Sequence, residues 1–175
     1  PNKGMMKKMN EMVKDIVDFW GESLKIININ EKNKLSKETE IFFKKVGIPT
    51  DNKFLINFND SIAEYKHEGK ENNYVMIGND FGTSICINIK TDEIFSIDDD
   101  NELPVRFINS NINCLLGCLM VYIKYQPQLI EADDEEVFNI VKEIRESFIK
   151  FDLRALENDE NWWSVILEQI EYGLI

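Results

Sequence analysis

The sequence predicts a single α+β domain: a mainly antiparallel or mixed sheet of about five or six strands, packed by N-terminal and C-terminal helices. Short apolar runs separated by turn residues occupy positions 74–98, which is typical of an antiparallel meander. Helical periodicity precedes and follows this stretch. The 175 residues, 43% of them hydrophobic, suffice for one core. We expect the domain to span 5–175, with 1–4 as a linker or cloning remnant.

The meander is the part that the other elements are expected to cover. Its turns are predicted at 78–82 and 90–93, where glycine and polar residues cluster. Between them, three isoleucines alternate with more polar residues, which places them on one face of a strand: Ile85, Ile87 and Ile89. Phe95 and Ile97 repeat the alternation. The opposite face is predicted to be half solvated.

Two helices are predicted before the sheet. Apolar residues recur at helical spacing over 9–20, and Gly21 is placed to end that helix. Residues 24–29 form either a short strand or a loop. Ser36 can cap the second helix, and Gly47 can end it in the left-handed conformation.

Further strands flank the meander. Apolar residues alternate over 54–58, which predicts a strand that leads towards the polar pair at 59–60. A weaker strand is predicted at 62–67, followed by a polar turn at 68–71. A last short strand is predicted at 105–107.

Three helices are predicted after the sheet. The first has its cap at 109–110, is apolar around most of its circumference and ends at 126–127, where Pro127 stands. The second begins at Asp133 or Asp134. The third has its cap at Asn158 or Asp159, and its apolar face is expected to comprise Trp163, Ile166, Leu167, Ile170 and Leu174.

The composition is acidic, with a net charge of -12 and a pI near 4.6. Nucleic acids and anionic membranes would be repelled, so a basic protein partner is favoured, although an acidic surface also serves solubility alone. Three cysteines and no secretory leader predict a reducing, cytoplasmic location without a disulfide framework. No apolar run reaches the roughly 20 residues of a membrane span. Frequent Asn, Ile and Lys hint at an A+T-rich bacterial source.

Few residues could support catalysis or metal binding. His67 is the only histidine and its polar neighbours are typical of a solvated strand end. Cys114 and Cys118 lie four residues apart and share a helical face, but they lack neighbouring ligands, which favours packing over metal binding. We therefore expect no catalytic residue, no cofactor and no metal.

The candidate partner-binding residues are four carboxylates in one loop, Asp98, Asp99, Asp100 and Glu102, together with Trp162. The loop is either a solvated segment or a contact for a basic partner. It does not fit a calcium loop of the EF-hand type, because Leu103 and Asn109 occupy the positions of the required Gly and Glu. Trp162 adjoins Trp163 and is expected near the edge of the apolar stripe, as a packing residue or a binding hot spot.

Four segments carry a resemblance to a known family: 43–49 (FKKVGIP), 75–80 (VMIGND), the hairpin 85–97 and 107–110 (FINS). In this order they resemble the SUKH superfamily of bacterial immunity proteins, which includes yeast cell-wall synthesis regulators, and most closely its fourth subgroup. The resemblance covers roughly 40–125, and its motifs are mostly structural.

The resemblance implies a non-enzymatic α+β domain that binds and neutralises a cognate polymorphic toxin, often a nuclease or another nucleic-acid-modifying enzyme. The acidic composition favours a basic toxin. Two alternatives stay open. One is a regulatory interaction module with an endogenous signalling or cell-wall partner. The other is a small hydrolase that uses a carboxylate pair such as Asp80 and Asp98, although no nucleophile, metal set or cofactor loop accompanies them.

Overall fold

The computed structural model describes residues 2–67 and 73–175. Within them lie five α-helices: α1 (Lys3–Trp20), α2 (Lys37–Lys45), α3 (Ile112–Glu131), α4 (Asp134–Phe151) and α5 (Trp162–Glu171). The strands are β1 (Leu24–Lys25), β2 (Ile48–Pro49), β3 (Asn57–Tyr65), β4 (Tyr74–Asn79), β5 (Ser84–Asn88), β6 (Ile94–Ile97) and β7 (Val105–Asn109). No helix of this described part is long and apolar enough to cross a bilayer.

The main sheet is a five-stranded antiparallel meander in the order β3-β4-β5-β6-β7, and β1 and β2 form a separate antiparallel pair. The predicted α+β class and antiparallel meander are confirmed. The turn predicted at 68–71 lies outside the described residues.

The two faces of the sheet are covered differently. Val75, Ile85 and Ile87 point into the core shared with the helices. On the opposite face the rings of Tyr74, Phe95 and Phe107 form an edge-to-face row, with centroids 6.0 and 5.8 Å apart. Cys86 pairs with Phe95 across the strands and is fully buried. This face is therefore less solvated than predicted, because aromatic side chains shield it.

The strand predicted at 54–58 is displaced. Leu55 has a positive φ of 59°, which excludes a regular strand there. The single strand β3 instead runs through 59–60, which separates the two predicted strands, and its register to β4 shifts between Phe58 and Ala63. An irregularity of this kind is tolerated because β3 is an edge strand, whose polar residues can face water.

Several helix boundaries also differ from the prediction. The first helix already begins at Lys3, capped by the Asn2 side chain, so it includes part of the expected linker. Helix α3 begins after the Asn111 cap and continues through Pro127 to Glu131. Pro127 is exposed, so water can solvate the carbonyl group left without a donor, while Leu129 still packs on the core.

The last helix begins later than predicted, at Trp162, with Asn161 in the N-cap position. The Asn158 side chain instead accepts a hydrogen bond from the Glu160 amide, which stabilises a turn before the helix. The predicted apolar face is buried except for Leu174, which lies beyond the helix end and is exposed.

A buried polar network fixes α5 against β7 and the end of α4. The Trp163 indole donates to Oδ1 of Asn109 at 2.9 Å, and Nδ2 of Asn109 donates to Oδ2 of Asp152 at 2.9 Å. Asp152 also accepts from the amide and the hydroxyl of Ser110, each at 2.8 Å. The three hydrogen bonds that Asp152 accepts offset the free-energy cost of burying its carboxylate.

The three cysteines are unpaired and buried, and Cys118 lies in the hydrophobic core. Burial raises the pKa of the Cys86 and Cys114 thiols to about 12 and that of Cys118 well above its ordinary value. All three thiols are therefore protonated in the folded protein at neutral pH.

We expect the native protein at pH 8 to react with a thiol reagent far more slowly than the urea-unfolded protein, in which three thiols should react. In the unfolded chain the thiols ionise near pH 9, whereas in the folded protein they stay protonated to higher pH. The free energy of unfolding should therefore fall as the pH rises from about 9 towards 12. Rapid labelling of a thiol in the native state would contradict this assignment.

Candidate functional site

The acidic loop, residues 98–102, connects β6 to β7 and is held by its own hydrogen bonds. The amide of Asp98 donates to the carbonyl oxygen of Pro104 at 2.8 Å. The Asp98 carboxylate accepts from the amide of Asp100 at 3.1 Å, and the Asn101 side chain accepts from the amide of Leu103 at 3.1 Å. The loop is thus fixed in shape by turns that its Asp and Asn residues form.

The four carboxylates of this loop do not act as one cluster. Asp98 is half-buried and lines a cleft. Asp99 points to the outer face of the sheet, where its carboxylate contacts the His67 imidazole. Asp100 and Glu102 are exposed to solvent. Asp100 and Glu102 are therefore exposed on the loop, while Asp98 faces the cleft and Asp99 is engaged with His67.

The cleft beside Asp98 has a volume of about 480 Å³ and lies between the β4–β5 turn, the acidic loop and α5. Its lining is largely apolar and includes Leu55, Phe81, Leu103, Val165 and Ile166. Its polar lining includes Asp80, Asp98, Arg106 and Trp162. The structure therefore brings together two of the predicted partner-binding residues, Asp98 and Trp162.

Trp162 is buried, with 6% of its surface exposed, so it lies deeper than its predicted edge position. Its Nε1 donates to Oδ2 of Asp80 at 2.9 Å, and its ring packs edge-on against Trp163 at 4.8 Å. Trp162 thereby joins α5 to the end of β4 and forms part of the cleft wall. Its part in partner binding stays a prediction.

Asp80 and Asp98, the carboxylate pair of the hydrolase alternative, line the same cleft. The Asp80 carboxylate accepts hydrogen bonds from Trp162 and from the amides of Gly82 and Thr83, at 3.1 and 2.6 Å respectively. These three hydrogen bonds give the Asp80 carboxylate a part in shaping the turn. In the described residues, no three His, Cys, Asp or Glu side chains cluster in a way that could hold a metal ion.

Sequence reasoning missed Phe81, which is 73% exposed at the β4–β5 turn and lines the cleft. Phe81 has a positive φ of 69°, as Leu55 has 59°, and bulky residues rarely adopt this conformation. The amide of Phe81 donates to Oδ1 of Asn79 at 3.1 Å. The glycines around this position predicted a turn, but they did not indicate which side chain the turn displays.

Comparison with known proteins gives one result. A family model described as SUKH-4 immunity protein matches residues 33–169. Neither curated proteins nor solved structures gave a match. The matched span contains the five-stranded sheet, the acidic loop and nearly all of α5, so it includes the lining of the cleft except Ile175. The sequence resemblance is confirmed over most of the chain, and this protein belongs to the SUKH-4 immunity protein family.

Proposed function

We propose that this protein binds a cognate protein toxin and keeps it inactive, using the acidic end of its sheet as the contact surface. Membership of an immunity protein family is the observation that carries this proposal. The interaction would take place in the cytoplasm, where three unpaired thiols are stable. It would need no cofactor, because the toxin is occupied and not chemically altered.

The charge of the chain favours a basic toxin. A net charge of -12 attracts a cationic surface, and enzymes that act on nucleic acid commonly present one. Such attraction accelerates association and weakens as salt is added. The protein would thus compete with nucleic acid for the cationic surface of the toxin.

The exposed pair Asp100 and Glu102 allows a test of this electrostatic contact. We expect Asp100→Asn with Glu102→Gln to reduce the association rate constant several-fold at low salt and to have little effect at high salt. The matched control is Glu143→Gln with Glu146→Gln, which removes the same charge from exposed positions on α4. Equal association rates for the two double variants would exclude the acidic loop as the contact.

The function itself is tested by co-expression with the product of the neighbouring gene. If that product is the toxin, its expression alone should arrest growth, and co-expression should restore growth and yield a complex that co-purifies. Failure of both rescue and co-purification would contradict the proposal. A partner encoded elsewhere in the genome would favour the regulatory module instead.

A further inference from the structure

The cleft beside the acidic loop has the properties of a docking site for a protein segment. Phe81 stands at its mouth with 73% of its surface exposed, and Leu103 and Val165 are half-buried in its walls. Exposed apolar side chains around a concave surface are typical of interaction sites. At about 480 Å³, the cleft can admit one or two side chains of a partner.

The backbone at this place supports the same interpretation. Phe81 and Leu55 both line the cleft and both have positive φ angles, which Gly or Asn would adopt with less strain. Phe81 gains little burial in return, since most of its ring faces solvent. Strain that no packing within the domain compensates favours a contact of this side chain outside the domain.

The charges around the cleft define its occupant. Asp98 lies in the lining, and Asp100 and Glu102 are exposed on the loop that borders it. The cation in the lining, Arg106, donates from Nη1 to the carbonyl oxygen of Glu160 at 2.8 Å. The carboxylates outnumber this guanidinium, so a cationic group next to an apolar one is the complementary chemistry.

We propose that this cleft receives a protruding segment of the cognate toxin, in which an apolar side chain lies next to a lysine or arginine. This inference rests on the proposed function and specifies its anchor. The apolar side chain packs against Phe81 and Leu103, while the cation lies towards Asp98. The anchor slows dissociation, whereas the exposed carboxylates of the loop accelerate association.

Phe81→Asn is the most informative variant, because Asn tolerates a positive φ and the fold keeps its turn. We expect its melting temperature to equal or exceed that of the wild type. Its Kd for the toxin should rise by about tenfold to a hundredfold, mainly through faster dissociation. A second cleft variant, Leu103→Gln, should weaken binding in the same direction. The matched control Phe138→Gln removes an aromatic ring that is 53% exposed on α4 and does not line the cleft.

The measurement uses the purified full chain and the purified product of the neighbouring gene, with rate constants from biolayer interferometry. If the wild type does not bind, the proposed function fails, and the docking inference, which rests on it, fails as well. If the wild type binds but both folded cleft variants dissociate as slowly as Phe138→Gln, the docking inference alone is overturned. Selective loss of binding in the cleft variants supports it.

Discussion

Replacing Trp163 by alanine is expected to lower the free energy of unfolding by about 4 kcal/mol, within the range measured when large buried aromatics are truncated. Trp163 is fully buried and packs edge-on against Phe148, with ring centroids 4.7 Å apart. Its loss would also leave Oδ1 of Asn109 without its indole donor. Domains of this kind are stable by only about 5–15 kcal/mol, so a large share of the stability is at stake.

Trp163→Phe separates the two contributions. Phenylalanine keeps much of the aromatic packing but cannot donate to Asn109, so a smaller loss of about 1–3 kcal/mol is expected. Urea denaturation followed by circular dichroism would measure both variants. A Trp163→Ala protein within 1 kcal/mol of the wild type would refute the view that this residue holds α5 on the sheet.

Replacing Gly47 by alanine is the second change with a large expected effect. Gly47 ends α2 with a φ of 85°, and a Cβ atom there would lie 2.3 Å from the carbonyl oxygen of Lys25. The obstacle is backbone of β1, which cannot rotate away as a side chain would. Backbone strain and the steric overlap together should cost about 3 kcal/mol.

Gly173→Ala is the matched control for Gly47→Ala. Gly173 also follows a helix with a positive φ, of 66°, but a Cβ atom there would meet nothing within 4 Å. It should therefore show only the conformational cost, about 1 kcal/mol. Thermal and urea unfolding of both variants give the comparison. Equal losses at the two positions would mean that the close approach to Lys25 does not constrain the fold.

Much of the architecture was predictable because local patterns agree with tertiary packing. The alternation of Ile85 and Ile87 matches their burial against the helices, and the Ser36 cap accepts from the amide of Thr39 as its position predicts. Prediction failed where tertiary context overrides local preference. The polar pair at 59–60 separates the two predicted strands, yet it lies within one irregular edge strand. Likewise, the exposed Pro127 does not end α3.

The candidate site was predictable only in its charge. The crowding of acidic residues at 98–102 located the loop, but the opposite directions of Asp98 and Asp99 depend on its turns and on His67, 32 positions away from Asp99. The depth of Trp162 depends on a hydrogen bond to Asp80, 82 positions earlier. Phe81 is exposed because its backbone has a positive φ. A phenylalanine does not predict this conformation from the sequence.

The central claim is that this protein works by occupying another protein. Titration of the purified neighbouring gene product with the purified full chain, while the activity of that product is recorded, tests this claim most directly. We predict that the activity falls in proportion to the protein added and is lost when the two are equimolar, with a stable complex on gel filtration. Undiminished activity in the presence of excess protein, with no complex, would contradict the claim.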